Sequence, residues 1–415
     1  MAKKPFEPFN KAKKPRPSLY KFYSGVVWAW LRSKARLRVT FDCELPEQFV
    51  LVCNHPSGVD NFYAMRALRP HTVCFVANRY YTYHKIIGKF FEAMGSIPKS
   101  LFTTDMASVK NTLAMKEAGM PLGFMPEVRL SMSGEMQKLP ESTGKFFKML
   151  KLPVFLCHFD GSYLVKPKWS KHRRRGEVEV KVRQLYDAQT LAQTSDEELQ
   201  ATLEKNLYYN DFEWLKNHPK AKYRCKKQAE GLEKILTICP HCKKHYTIRT
   251  KGKKVYCDSC GYTVEVDDRY AFVDKGFEHY YDNFQQWYDD IRRDCWQRVD
   301  ENPDYTLTEK VKIKVPSSDG KTFLRDAGEG VVILNADGLT FDGVKDGEAF
   351  AFKIPMHDGF YLSYGMNVGF QTFRGAKEYY AFCPDDVSKS LEWYLASERL
   401  SHNFIKKLRA EALCS

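Results

Sequence analysis

The sequence predicts an α/β protein built on a largely parallel sheet, followed by a small cysteine-paired module and a C-terminal α+β domain. Three observations carry this prediction. Short apolar runs alternate with helical periodicity over the first half of the chain, two Cys-x-x-Cys pairs stand beyond its middle, and turn-punctuated alternating strands fill its last quarter. With 415 residues, 43% of them hydrophobic, the chain can hold two or three domains with real cores.

Residues 1–19 carry Lys3, Lys4, Lys11, Lys13, Lys14 and Arg16 among prolines and are expected to be a basic disordered tail. A first domain is expected over 20–235. It opens with a helix over 20–38, in which Tyr20, Tyr23, Val27, Trp30 and Leu31 recur at spacings of three and four between basic ends. Such a helix either lies in a lipid headgroup layer or packs on the core. Strands are expected at 49–53, 73–77, 122–125, 154–158 and 177–182, and their alternation with helical stretches reads as a mainly parallel sheet. Charged, helical residues over 196–236 extend this domain.

The segment 236–266 contains Cys239-Pro-His-Cys242 and Cys257-Asp-Ser-Cys260-Gly261. Two such knuckles, separated by fourteen residues, can place four thiolates tetrahedrally around a zinc ion, and Gly261 suits a tight knuckle turn. Because four thiolates close the coordination sphere, this zinc ribbon is expected to be structural, with His241 and His245 not needed as ligands. A helical connector is expected over 267–303. After it, 304–415 shows short alternating strands with turns at 317–320, 336–338 and 345–347, then an amphipathic helix near 385–407. Antiparallel strands capped by one helix resemble the pleckstrin-homology or GRAM type of small β domain.

A formal charge of +14 favours an anionic partner. No apolar stretch approaches the roughly 20 residues that span a bilayer, and the longest candidate, 25–31, is closed by Arg32, Lys34, Arg36 and Arg38. That basic cluster also argues against a signal peptide. Of twelve cysteines, eight lie scattered outside the two pairs, which fits a reducing compartment.

The sharpest local signal is Val52-Cys53-Asn54-His55-Pro56-Ser57-Gly58-Val59-Asp60, which follows a strand. Pro56 is favourable at the first position of a helix, so His55 is expected at a strand-to-helix turn with the helix starting directly after it. Asp60, leaning back toward the N-terminus, can then reach the imidazole. A neutral histidine oriented by a carboxylate can take the proton from an attacking hydroxyl, as in a serine-protease triad whose serine is replaced by the substrate's own hydroxyl.

This stretch resembles the first motif, Asn-His-x-x-x-x-Asp, of the glycerolipid acyltransferase family, of the lysophosphatidate or 1-acylglycerol-3-phosphate acyltransferase type. The later motifs of that family are matched in order by Gly95-Ser96-Ile97-Pro98-Lys99, by Met125-Pro126-Glu127-Val128-Arg129-Leu130-Ser131, and by Leu152-Pro153-Val154. The resemblance spans roughly 25–190. It implies an acyltransferase-type sheet in which His55 is the general base, Asp60 its orienter, and Lys99, Glu127 and Arg129 bind the phosphate and glycerol of the acceptor. The implied activity is transfer of a fatty acyl chain from acyl-CoA or acyl-carrier protein to the free hydroxyl of a lysophospholipid, by a peripheral protein on the cytoplasmic face of an anionic membrane. Two positions depart from the family pattern. Val128 stands where the third motif has glycine, and Lys99 stands where arginine is more usual.

Two other readings compete. A zinc-ribbon nucleic-acid-binding protein would explain the charge and the basic run Arg173-Arg174-Arg175; the ribbon carries Lys243, Lys244, Arg249, Lys251, Lys253 and Lys254 but few aromatics, which does not decide the matter, and nucleic acid is the less expected partner. A catalytically inactive lipid-surface scaffold finds support in Val128 alone.

Overall fold

A computed structural model of the protein describes residues 6–140, 142–358 and 361–414. The first unit runs α1 (Pro17–Leu31), β1 (Ala35–Phe41), β2 (Val50–Cys53), α2 (Asp60–Ala67), β3 (Cys74–Asn78), α3 (Lys85–Ala93) and β4 (Ile97–Lys99). It continues with α4 (Met106–Glu117), β5 (Leu122–Phe124), α5 (Thr143–Leu150), β6 (Val154–Asp160), α6 (Ser162–Val165) and β7 (Gly176–Tyr186). Three helices close it: α7 (Ala188–Gln193), α8 (Asp196–Leu207) and α9 (Asp211–Asn217).

Its strands form a seven-stranded sheet in the order β1-β7-β6-β2-β5-β3-β4. The strands β2 to β6 run parallel, whereas β1 and β7 run the opposite way, with β6 and β7 paired antiparallel. The centre of this sheet is covered on both faces, which is why every residue of β2 is buried and the segment Val50-Leu51-Val52-Cys53 shows no polar alternation. Parallel strands align their C-terminal ends, so the residues following β2, β5 and β6 meet at one edge of the sheet.

The segment expected as one helix over 20–38 divides. The helix ends at Leu31 and Ala35–Phe41 is an edge strand whose inward residues Ala35, Leu37 and Val39 alternate with Arg36, Arg38 and Thr40. The period changes from helical to two, and Arg36 and Arg38 are held by Glu177 on the neighbouring strand. The basic tail also differs from expectation where it is described. Phe6 N–H donates to the carbonyl of Ser318 (2.9 Å), while Ala12 N–H donates to Asn111 Oδ1 (3.1 Å) and Lys13 pairs with Glu92 (2.7 Å) in the first unit; residues 1–5 lie outside the described residues.

The second unit is a four-stranded antiparallel sheet of β8 (Ile248–Lys251), β9 (Lys254–Cys257), β10 (Thr263–Val266) and β11 (Phe272–Asp274), in the order β11-β10-β9-β8. It reaches beyond residue 266, because β11 pairs with β10, and the connector helix α10 (Phe284–Glu301) therefore begins later than the expected 267. Asn283 caps α10 by accepting from the N–H groups of Gln285 and Gln286.

The third unit is a second seven-stranded sheet, antiparallel throughout: β12 (Leu307–Pro316), β13 (Leu324–Asn335), β14 (Gly338–Lys345), β15 (Glu348–Pro355), β16 (Ser363–Gly365), β17 (Gly369–Arg374) and β18 (Glu378–Pro384). The order β15-β14-β13-β12-β18-β17-β16 describes two meanders joined by pairing of β12 with β18, and α11 (Ser390–Cys414) closes one end. In α11 the residues Leu391, Tyr394, Leu395 and Leu400 are buried on one face, as their spacing predicts. One apolar core runs continuously through all three units.

Candidate active site and cysteine centre

His55 sits two residues past the end of β2. The chain does not enter the helix at Pro56 as expected; it makes a turn over 56–59, and α2 starts at Asp60. Asp60 is thus the first helical residue, and its carboxylate folds back over the turn. Its Oδ2 accepts from the N–H of Ser57 (2.7 Å) and faces His55 Nδ1 at 3.2 Å, while Oδ1 accepts from the hydroxyl of Ser162. Asp60 is fully buried and the His55 side chain is 21% exposed, so the pair presents one ring edge to solvent. Burial pushes the Asp60 carboxyl up, and its bonds to His55, Ser162 and Ser57 oppose that push.

The turn is held from both sides. Asn54 exchanges two hydrogen bonds of 2.8 Å with the backbone of Phe159 on β6, donating through Nδ2 and accepting at Oδ1. Glu127 accepts the His55 N–H at 2.5 Å on Oε1, and the Gln137 N–H (2.9 Å) and Tyr209 hydroxyl (3.3 Å) on Oε2. The Glu127 carboxylate is therefore occupied by three protein donors and is 2% exposed. In this arrangement it positions the His55 backbone, a different task from the acceptor contact that the motif implies. Burial raises its carboxyl to about 8 against the pull of those donors.

Arg129, 8% exposed, points to the C-terminal unit. Its Nη2 donates to Glu398 Oε1 on α11 at 2.6 Å, and its guanidinium lies 4.9 Å from the Tyr394 ring centre and 5.1 Å from that of Tyr361. Val128, between these two motif residues, has φ 64°, a left-handed conformation that a β-branched residue adopts only under strain. The backbone shape for which glycine is suited is thus kept without the glycine. Lys99 ends β4, three strand positions from β2, or about 14 Å at ordinary strand spacing. Its ammonium is pushed down by burial, with Asp105 acting in the opposite direction.

The structure brings His55, Asp60 and Glu127 together, sets Arg129 two residues further along, and leaves Lys99 apart. Asn54, Ser57, Ser162, Tyr209 and Glu398 are parts of the site that sequence reasoning did not single out. Of these, Asn54 had a signal, since it belongs to the same motif as His55.

The sulfur atoms of Cys239, Cys242, Cys257 and Cys260 all lie within 4.8 Å of one another, and the Cys239–Cys260 and Cys242–Cys257 separations are both 3.8 Å. Metal–sulfur bonds of about 2.3 Å in a tetrahedron require sulfur separations of about 3.8 Å, so this donor set can hold a metal ion. Each knuckle closes the same way: Lys243 N–H bonds to Cys239 O and Gly261 N–H to Cys257 O, both at 3.0 Å, with Lys243 and Gly261 at φ 58° and 77°. His241 turns its Nδ1 to the Tyr280 hydroxyl at 3.0 Å, away from any ligand role.

Comparison with known proteins gives residues 36–162 a match to the sequence model of the acyltransferase family. The match takes in His55, Asp60, Lys99, Glu127 and Arg129. Among solved structures the chain is similar to the 1-acyl-sn-glycerophosphate (LPA) acyltransferase PlsC from Thermotoga maritima, at 18% identity and a TM-score of 0.38, over 46% of this chain and 75% of that one. No curated protein matches the chain.

Proposed function

From the acyltransferase-family domain over residues 36–162, we propose that the protein transfers a fatty acyl chain from a thioester donor to the free hydroxyl of a lysophosphatidate-like acceptor. The observation that carries this reading is the His55 Nδ1–Asp60 Oδ2 pair at the edge of the sheet. With Nδ1 turned to the carboxylate, Nε2 is the ring atom left to accept a proton. The acceptor hydroxyl gives its proton to Nε2 as its oxygen attacks the thioester carbonyl carbon, and Asp60 stabilises the imidazolium that forms. The tetrahedral intermediate then collapses, the carbon–sulfur bond breaks, and the departing sulfur takes the proton back from Nε2.

The remaining features support a role at a lipid surface. On α1, Leu19, Phe22, Val26 and Trp30 are exposed at spacings of three and four, and basic residues follow at its C-terminal end. That is an apolar stripe beside cations, suited to the headgroup layer of an anionic cytoplasmic leaflet. The cysteine centre is assigned to structural zinc, because four thiolates leave no open coordination position. Two antiparallel meanders closed by a C-terminal helix support the pleckstrin-homology or GRAM-like reading of the third unit.

The test is transfer of labelled acyl chains from acyl-CoA and from acyl-carrier protein to a panel of lysolipids. His55→Ala is expected to abolish transfer, by a factor of at least about 10³, with melting temperature retained. Undiminished transfer by a folded His55→Ala variant rules the mechanism out.

A further inference from the structure

The third motif supplies one cation, Arg129, two residues beyond the Glu127 that holds the His55 N–H, and the structure places a second near it that no motif announces. Lys168 lies in the loop between α6 and β7, and its Nζ is 6.0 Å from the centre of the Tyr394 ring. The Arg129 guanidinium carbon is 4.9 Å from the centre of that same ring. The loop is tied to the catalytic turn, since the hydroxyl of Ser57 donates to the carbonyl of Lys166 at 2.9 Å. Burial pushes the Lys168 ammonium down to about 7, and the neighbouring Arg129 pushes the same way.

The charges around Tyr394 do not balance. Arg129 Nη2 is paired with Glu398 at 2.6 Å, but Arg129 Nη1 is buried with no hydrogen-bond partner among the described residues. A buried donor without a partner is costly, and so is a second buried cation set beside an arginine; a bound anion removes both costs. A phosphomonoester carries up to two negative charges and three acceptor oxygens, enough to engage Nη1 and the Lys168 ammonium together. Lys99 lies about 14 Å of sheet away from β2, next to Asp105.

We propose that Lys168 and Arg129, and not Lys99, form the paired cations that hold the acceptor's phosphomonoester, with Glu398 of α11 standing in part of that place when no acceptor is bound. This assignment rests on the acyltransferase reading for its biological ligand, but the anion site itself does not. It makes the C-terminal unit one wall of the acceptor pocket, so that a phosphate must share or displace the bond between Arg129 and Glu398.

Glycerol 3-phosphate, a soluble phosphomonoester, is the probe: its binding to the full chain is measured calorimetrically alongside the KM for lysophosphatidate. Lys168→Met is expected to weaken glycerol 3-phosphate binding about tenfold or more and to raise the KM by a similar factor, as loss of one charge-assisted contact does. Lys168→Arg is expected to recover most of it, and Lys99→Met to stay within about twofold of wild type. Glu398→Gln, which removes a competing anion without truncating the helix, is expected to tighten binding several-fold, and it decides the matter should Lys168→Met not fold. Wild-type chain that fails to bind glycerol 3-phosphate at millimolar concentration, Lys168→Met that binds like wild type, or Glu398→Gln that leaves binding unchanged overturns the assignment. Binding that depends on Lys168 in a protein with no acyl transfer overturns the enzyme reading and leaves the anion site standing; transfer indifferent to Lys168 does the reverse.

Discussion

Glu127 is a carboxyl group whose proton is coupled to the His55 turn, since its Oε1 holds the N–H of His55. Burial raises it from the ordinary 4.5 to about 8. A carboxyl raised on folding contributes stability that is fully present below 4.5 and is lost as pH climbs toward 8. Glu127→Gln, which has no charge to bury, is therefore expected to gain on wild type across that interval. The difference in melting temperature between the two should widen from about pH 5 to pH 8, and a difference that ignores pH would show that the group does not titrate there. At this scale the legible part of the site was local. His55 and Asp60 stand five positions apart in one motif, so the turn could be read directly. Ser162, which holds the other oxygen of Asp60, lies 102 residues from it, and Glu398 lies 269 from Arg129; no spacing in the sequence reports contacts that only the assembled sheet and α11 create. Val128 is instructive in another way, since the missing glycine was visible but the retention of its left-handed backbone was not.

Helix α1 shows what periodicity can and cannot settle about an element. Of the two readings left open for the stripe of Tyr20, Tyr23, Val27, Trp30 and Leu31, most of it follows the core-facing one: Tyr20 and Leu31 are buried, and Tyr23 and Val27 pack against the core. The outward stripe is Leu19, Phe22, Val26 and Trp30, with Phe22 62% exposed. A helix with apolar residues on both faces carries two moments that partly cancel, so the sequence identifies a helix without orienting it. Replacing Phe22 and Trp30 together by serine is expected to weaken sedimentation with anionic phospholipid vesicles about tenfold or more. The melting temperature should change little, because neither side chain is buried. Unchanged vesicle binding would show that the outward stripe of α1 is not a lipid-binding surface. β1 was hidden in the same stretch for a related reason: seven residues of alternation directly after a helix, with arginines outward, read as a basic helix end.

At the scale of the whole molecule, α/β class, the five central strand positions, the paired cysteines and the antiparallel C-terminal region were all legible, because each has its own period or spacing. The way the units lock together was not. Trp287 of α10 donates to the carbonyl of Ile238 at 2.8 Å beside the first cysteine knuckle, Glu392 of α11 accepts from Arg298 at 2.5 Å and from the Tyr246 hydroxyl at 3.0 Å, and Tyr394 donates to Gln137 at 3.2 Å. The zinc proposed for the cysteine centre would sit inside this shared core, so a chelator is expected to lower the melting temperature of the entire chain by on the order of 5–10 °C in one transition. A separate early transition with the rest unaffected would show an independent module. The position of α11 carries a further consequence for biosynthesis. Chains emerge from the ribosome with the N-terminal part first, so the residues that hold the His55–Asp60 turn, 54 to 162, are synthesised well before Glu398. The ion pair of Arg129 with Glu398 and its contact with the Tyr394 ring can therefore form only after α11 has been made.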